Sequence, residues 1–226
     1  MGNRVHRVYT VGHSQHDVAT LIQLLAAAGV TEVIDVRSAP YSQRYPQFNQ
    51  FELQGNLKRE GINYVFLGDA LGGRPPHDQV YDESGRVDYQ RVRGESFFQR
   101  GLEALRQRAA AATVALLCAE EDPLDCHRGL LIAPALKEGQ IDVAHIRGDG
   151  SVETMQQMEE RLLAQTSVGA DLFQGLFAKC LTDDERRQLL GDAYQERARK
   201  AAFRARNVRA QPADQDSFSQ PWEEEP

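Results

Sequence analysis

The residues best equipped for chemistry lie in one run, Cys118-Ala119-Glu120-Glu121-Asp122-Pro123-Leu124-Asp125-Cys126-His127-Arg128. Two thiols, an imidazole, a guanidinium and four carboxylates crowd together there, a density matched nowhere else in the chain. Val114 to Leu117 before the run read as a short buried strand, and Gly129 to Leu136 after it as an apolar helical stretch. Cys126, His127 and Arg128 then sit near a helix start, where unpaired amide groups and the helix dipole favour a thiolate or a bound anion. Asp125 is placed to cap that helix.

Each residue type suggests a role. Cys126 is a candidate nucleophile, because a helix start and a neighbouring cation stabilise the reactive thiolate. Packing as a small apolar residue under the loop accounts for it equally well. Glu120 is the preferred general acid or base and Asp35 the second choice, since partial desolvation moves a carboxyl pKa toward neutrality. His127 completes the candidate catalytic set. Arg37, Arg44 and Arg128 suit an anion such as phosphate, although Asp35, Glu120 and Asp125 are at hand to pair with them. A phosphatase or rhodanese loop is excluded by spacing. It needs a cysteine, five residues and an arginine, whereas that step leads from Cys118 to Leu124 and from Cys126 to Ile132. The seven residues between the cysteines do not match the CxxC knuckle of structural zinc, so no metal ligand and no cofactor is assigned. A thiol redox pair, or metal binding by Cys118 and Cys126, stands as an alternative.

These residues need a scaffold, and the chain supplies alternating elements. Arg7 to Val11 form a first strand ending at Gly12-His13-Ser14, and Asp17 or Ser14 caps a helix carrying Val18, Leu21, Ile22, Leu24 and Leu25. Glu32 to Val36 form a second strand, apolar enough to be buried on both faces. A loop from Arg37 to Phe48, a helix from Gln50 to Glu60 and a strand from Ile62 to Leu67 follow. Glycine and proline argue against regular structure from Gly68 to Pro76, and residues 77–94 read as a polar insertion. A helix from Glu95 to Ala112, a strand from Thr113 to Leu117 and a strand from Ile141 to Ile146 complete the pattern.

The predicted fold is α/β: a mostly parallel, Rossmann-like sheet of about five strands with helices on both faces, plus a C-terminal helical extension. The α/β domain covers residues 1–150 and the extension 151–210, with charged amphipathic helices over Val152 to Gln165 and Asp183 to Arg206. Cys180 in the extension reads as core, and the acidic tail 211–226 is expected to be disordered. Ligands of such sheets bind beyond the carboxyl ends of the strands. That edge collects His13 and Ser14, then Asp35, Arg37 and Ser38, then Gly72 and Gly73, then Cys118 and Glu120, with His145 nearby. His13, Ser14, Ser38 and Cys118 are read as ligand-positioning, and the glycine pair as allowing close backbone approach.

Composition narrows the function classes. A net charge of -7 over 226 residues argues against a protein that grips a phosphate backbone non-specifically, so nucleic acid is not indicated. Three cysteines make no even disulfide framework, the start is no signal peptide, and no apolar run suits a membrane helix. A cytoplasmic protein with free thiols is expected. Its oligomeric state is left open.

The same residues carry a resemblance. Thr10-Val11-Gly12-His13-Ser14, Asp35-Val36-Arg37 with Pro40, Ser42, Pro46 and Phe48, Leu71-Gly72-Gly73, and Cys118-Ala119-Glu120 with Cys126-His127-Arg128 together resemble the domain of unknown function 488 family over roughly residues 7–150. The resemblance implies a compact α/β domain and brings no established reaction. The favoured expectation is an enzyme, hydrolase or transferase, acting on a nucleotide, nucleoside or other small anionic, phosphate-bearing molecule. A non-catalytic anion sensor or an interaction module docking through the charged helices is the alternative.

Overall fold

Aliphatic and β-branched strand residues build the sheet, which the computed structural model describes through residues 7–167 and 182–205. Strands β1 (Arg7–Gly12), β2 (Glu32–Asp35), β3 (Asn63–Phe66), β4 (Val114–Cys118) and β5 (Asp142–Ile146) run parallel in the spatial order β3-β2-β4-β1-β5. A sixth strand, β6 (Val152–Thr154), adds antiparallel to β5. The helix predicted from Val152 therefore starts later. Thr154 caps it through a reciprocal box with Gln157, an N-terminal signal that belongs to the helix over Met155–Ala164.

Helices α1 (Val18–Ala27) and α2 (Gln50–Arg59) cover one face of the sheet. Val11, Val33, Ala115, Leu117 and Ile146 point into that layer and meet Leu21, Leu25, Phe48 and Leu53. The other face holds α3 (Gly68–Leu71), α4 (Tyr89–Gly94), α5 (Ser96–Ala111), α6 (Ala133–Glu138) and α7 (Met155–Ala164). Val8, Ile34, Leu116, Cys118 and Val143 point there, against Phe98, Leu102, Leu131, Leu136 and Met158. Successive strand residues face opposite sides, so Thr10, Cys118 and His145 share the α6 side with Leu116 and Val143.

Three local expectations are corrected. Gly68 to Leu71 form one helical turn, closed by the Gly72 amide on the Gly68 carbonyl; the first proline comes only at Pro75, after the turn is complete. Residues 77–94 are no mere polar insertion: Val80, Val87, Tyr89 and Val92 are buried in the main core, and Asp88 caps α4. The helix after Cys126 begins as a π-turn over Arg128–Ile132 before α6 continues it.

The last described helix, α8 (Asp183–Ala201), packs on α7, and its Ala193, with Ala202 beyond it, joins the same core as the sheet. The Val87 amide donates to the Phe203 carbonyl, so the chain after α8 is stitched to the 80–89 segment. Cys180, the stretch 170–177 and the tail 211–226 lie outside the described residues. Among the described residues no helix is long and apolar enough to cross a membrane.

Candidate functional site

Strands β1 and β4 lie side by side, with Gly12 opposite Cys118. From their carboxyl ends the chain leaves in opposite directions, to α1 on one face and toward α6 on the other. Such a divergence opens a crevice, and here it is a cleft of about 690 Å³. The loop after β4 closes over β1 because residue 12 is glycine: a Cβ there would sit 1.7 Å from the Glu120 carbonyl oxygen. The His13 and Ser14 amides donate to the Cys118 and Ala119 carbonyls and finish that contact.

Arg128 holds the loop from behind. It is 0% exposed, and its guanidinium donates to the Glu120 and Glu121 carbonyl oxygens, both at 2.6 Å, and to Thr10 Oγ1 at 3.3 Å. Its fork is therefore spent on backbone oxygens, neither on a ligand nor on the carboxylates considered from sequence. Asp122, not Asp125, caps the turn before Cys126, while Asp125 pairs with Arg197 of α8. Gly129 is required as well, since a Cβ would meet the Pro123 carbonyl oxygen at 2.2 Å.

Asp35 and Arg37 form a second internal device. Asp35 is 0% exposed and accepts from the Arg37 amide at 3.0 Å, from Arg37 Nε at 2.9 Å and Nη2 at 2.5 Å, and from the Tyr64 hydroxyl at 2.7 Å. Arg37 Nη2 also donates to the Phe48 carbonyl. With its oxygens occupied, Asp35 has no free lone pair facing a substrate. Arg37 Nη1 lies 3.4 Å from His13 Nε2. His13 stacks on Phe48 at 4.3 Å, and burial, reinforced by the Arg37 charge, lowers its pKa to about 4.

The cleft floor holds the thiols. Cys118 and Cys126 are 3% and 2% exposed, and both are free. His127 Nε2 lies 3.0 Å from the Val36 carbonyl oxygen, which can only accept, so Nε2 carries a proton. Its Nδ1 faces Cys118 Sγ at 3.8 Å and Cys126 Sγ at 3.7 Å. Cys118 Sγ also lies 3.0 Å from Glu120 Oε2, and the Arg128 amide donates to Cys126 Sγ at 3.4 Å.

These contacts separate the two thiols electrically. Burial opposes a Cys126 thiolate, but a hydrogen bond from Cys118 and the charges of Arg128 and His127 prevail, and its pKa falls well below the usual thiol range. That hydrogen bond, burial and the Cys126 charge push Cys118 up, so it stays protonated. Burial and the charge on Cys126 also raise Glu120. His127 resists its own burial and is raised by Cys126.

Gly73 lies flat against the imidazole, where a Cβ would come within 2.8 Å of His127 Nδ1, and Gly72 packs on the Gly68 carbonyl and the Ser38 hydroxyl. Gly72 thus admits protein neighbours, while Gly73 also lines the cleft. Ser38 Oγ accepts from the Arg74 amide and shapes the rim. Ser14 and Arg44 line the cleft as expected from sequence. Residues not anticipated join them: Tyr41, Tyr45, Arg74, Tyr89 and Phe203. Arg44 lies over the Tyr45 ring at 5.3 Å and Arg74 over the Phe203 ring at 4.7 Å, and among the described residues neither makes an ion pair. Thr10 enters the sequence reading only as part of the family motif, although a polar residue inside an apolar strand is a readable signal. It bridges Arg128 and His145 Nδ1, 2.8 Å away. Tyr89 and Phe203 gave no such signal, because tertiary packing alone brings them in.

A family model described as "Domain of unknown function DUF488" matches residues 17–134, slightly more than half the chain. No curated protein and no solved structure matches it.

Proposed function

Since the chain belongs to the DUF488 family, a domain of unknown function, we propose its activity from the cleft itself: a hydrolase or transferase of a nucleotide, a nucleoside or another phosphate-bearing small molecule. The observation that carries this reading is what lines the cleft together: the buried Cys118, Cys126 and His127, the exposed Glu120 beside them, the half-buried rings of Tyr45 and Phe203, and the exposed Arg44 and Arg74. Rings of that kind stack on a planar base, and unpaired guanidinium groups receive a phosphate or carboxylate.

Within this reading Glu120 moves the proton. Its pKa is raised and it stands at the cleft, the combination a general acid needs near neutral pH. The anionic sulfur of Cys126 anchors the reacting centre, and Arg37 and His13 act as supports of the wall. The anion is received by Arg44 and Arg74, because Arg37 and Arg128 are engaged internally.

The test is turnover against a panel of nucleotides, nucleosides and phosphorylated sugars, followed by chromatography of products. Glu120→Gln should lower kcat by about 10²- to 10⁴-fold, and Arg74→Ala should raise KM with kcat nearly unchanged. No turnover of any member by the wild-type chain, together with no ligand-induced rise in Tm, would overturn the reading.

A further inference from the structure

We infer that Cys118, Cys126 and His127 are the protein ligands of one thiophilic divalent cation of the zinc class. The inference deepens the reading above by naming what the cleft floor holds, and it rests on that reading only for its catalytic consequence. The three ligand atoms lie within 4.8 Å of one another and all three residues are buried. In a tetrahedral zinc site with Zn–S about 2.3 Å and Zn–N about 2.0 Å, the S···N edge is about 3.5 Å. The observed edges to His127 Nδ1 are 3.7 and 3.8 Å.

Orientation is an independent observation. Metal-bound histidines hold one ring nitrogen with an acceptor behind it and aim the other at the metal. His127 does this: Nε2 is anchored on the Val36 carbonyl at 3.0 Å, and Nδ1 aims between the two sulfurs. Gly73 leaves room for the imidazole in that orientation, because a Cβ there would come within 2.8 Å of Nδ1. The seven residues between the cysteines, foreign to a zinc knuckle, are the length of loop that leads from β4 round to the π-turn.

Three protein ligands leave a fourth position, the pattern of a catalytic site and not of a structural one. All three residues line the cleft, and so does Glu120, which is not a member of the triad. The fourth position would be left to solvent or substrate, whose oxygen such a cation would polarise. Loading requires both coordinating sulfurs as thiolates, so the proton on Cys118 leaves to solvent.

The experiment uses the full chain, reduced and stripped with chelator, titrated with Co²⁺ and then Zn²⁺. One equivalent of Co²⁺ should produce thiolate-to-cobalt charge-transfer absorption with tetrahedral d–d bands, and Zn²⁺ should bleach both. Cys118→Ala, Cys126→Ala and His127→Ala should each remove the signal while circular dichroism reports a folded chain. Should a variant fail to fold, protection in the wild-type chain decides. Alkylation of the two cysteines should slow about a hundredfold at Zn²⁺ a hundred times over Kd, because only the free form reacts. Absence of the cobalt band, its persistence in Cys118→Ala/Cys126→Ala, or unprotected alkylation would each overturn the site. Turnover by stripped protein without a cobalt band leaves the enzyme reading standing and removes this one. A full cobalt band without turnover of any substrate does the reverse.

Discussion

Asp35 separates structure from chemistry most sharply, and Asp35→Asn is the perturbation to make. In the wild-type chain its carboxylate takes hydrogen bonds from the Arg37 amide, Arg37 Nε and Nη2, and the Tyr64 hydroxyl, with the two side chains 0% and 6% exposed. The substitution leaves the Arg37 charge buried beside a neutral amide whose NH₂ group repels it. Removing one partner of a buried pair costs about 3–5 kcal/mol. With an m-value near 3 kcal/mol/M in urea, the unfolding midpoint should fall by about 1 to 1.7 M. The double substitution Asp35→Leu/Arg37→Met should recover much of that loss, since no uncompensated charge remains. Equilibrium urea unfolding followed by circular dichroism reads all three proteins. A midpoint for Asp35→Asn within about 0.3 M of wild type, roughly 1 kcal/mol, combined with abolished turnover, would refute the assignment and return Asp35 to the reacting centre.

Three other outcomes follow from the same geometry. With metal removed, iodoacetamide should alkylate Cys126 before Cys118, with a rate that titrates well below the usual thiol pKa of about 8.5; mass spectrometry identifies the modified residue, and equal labelling of both cysteines contradicts the electrostatic separation. Gly73→Ala should tilt the His127 ring, costing about 1–3 kcal/mol as an overpacked contact and weakening cobalt absorption; unchanged Tm and absorption would show that the ring has room to move. Burial lowers the pKa of His13 to about 4 and, with the Arg128 charge, that of His145 to about 3. The unfolded chain, with histidines near 6.5, then binds more protons, so stability present above about pH 6.5 is lost as pH falls toward 4. His145→Leu should flatten that slope in urea titrations, and an unaltered slope would count against the account.

The alternation of apolar strands and helices, and the collection of polar residues at one sheet edge, were legible because a parallel sheet imposes period and direction on the sequence. Cys118, Glu120, Cys126 and His127 stood out because they share one run of the chain, Cys118 to Arg128, at that edge. What the sequence left open was the partner of each buried charge. Asp35, Arg37 and Arg128 have the side chains of a ligand site, but which partner each selects depends on Tyr64, the Phe48 carbonyl and the Glu120 and Glu121 carbonyls, and none of these is a sequence neighbour pattern. Residues 77–94 misled for a different reason. Four apolar residues spread among charges give no clean period, yet Val80, Val87, Tyr89 and Val92 all reach the core. Strand β6 was hidden inside an amphipathic run, with only the Thr154–Gln157 box marking where the helix begins.

The loop bearing the thiols is braced mostly by residues that come later in the chain. Asp122 is held by Arg161 at 2.7 Å and by Arg147, Glu121 by Arg147 at 3.0 Å, and Asp125 and the Leu124 carbonyl by Arg197. On a ribosome, then, Cys118 and Cys126 emerge well before the arginines that seal them in. At 5–20 residues per second, the interval between Cys126 and Arg197 lasts on the order of several seconds. β5 and Arg147 arrive early in it and Arg161 midway, so the braces on the loop are supplied one after another. The last of them comes when Arg197 reaches Asp125 and the Leu124 carbonyl, which makes the far C-terminal helix the element that completes a loop laid down about seventy residues earlier.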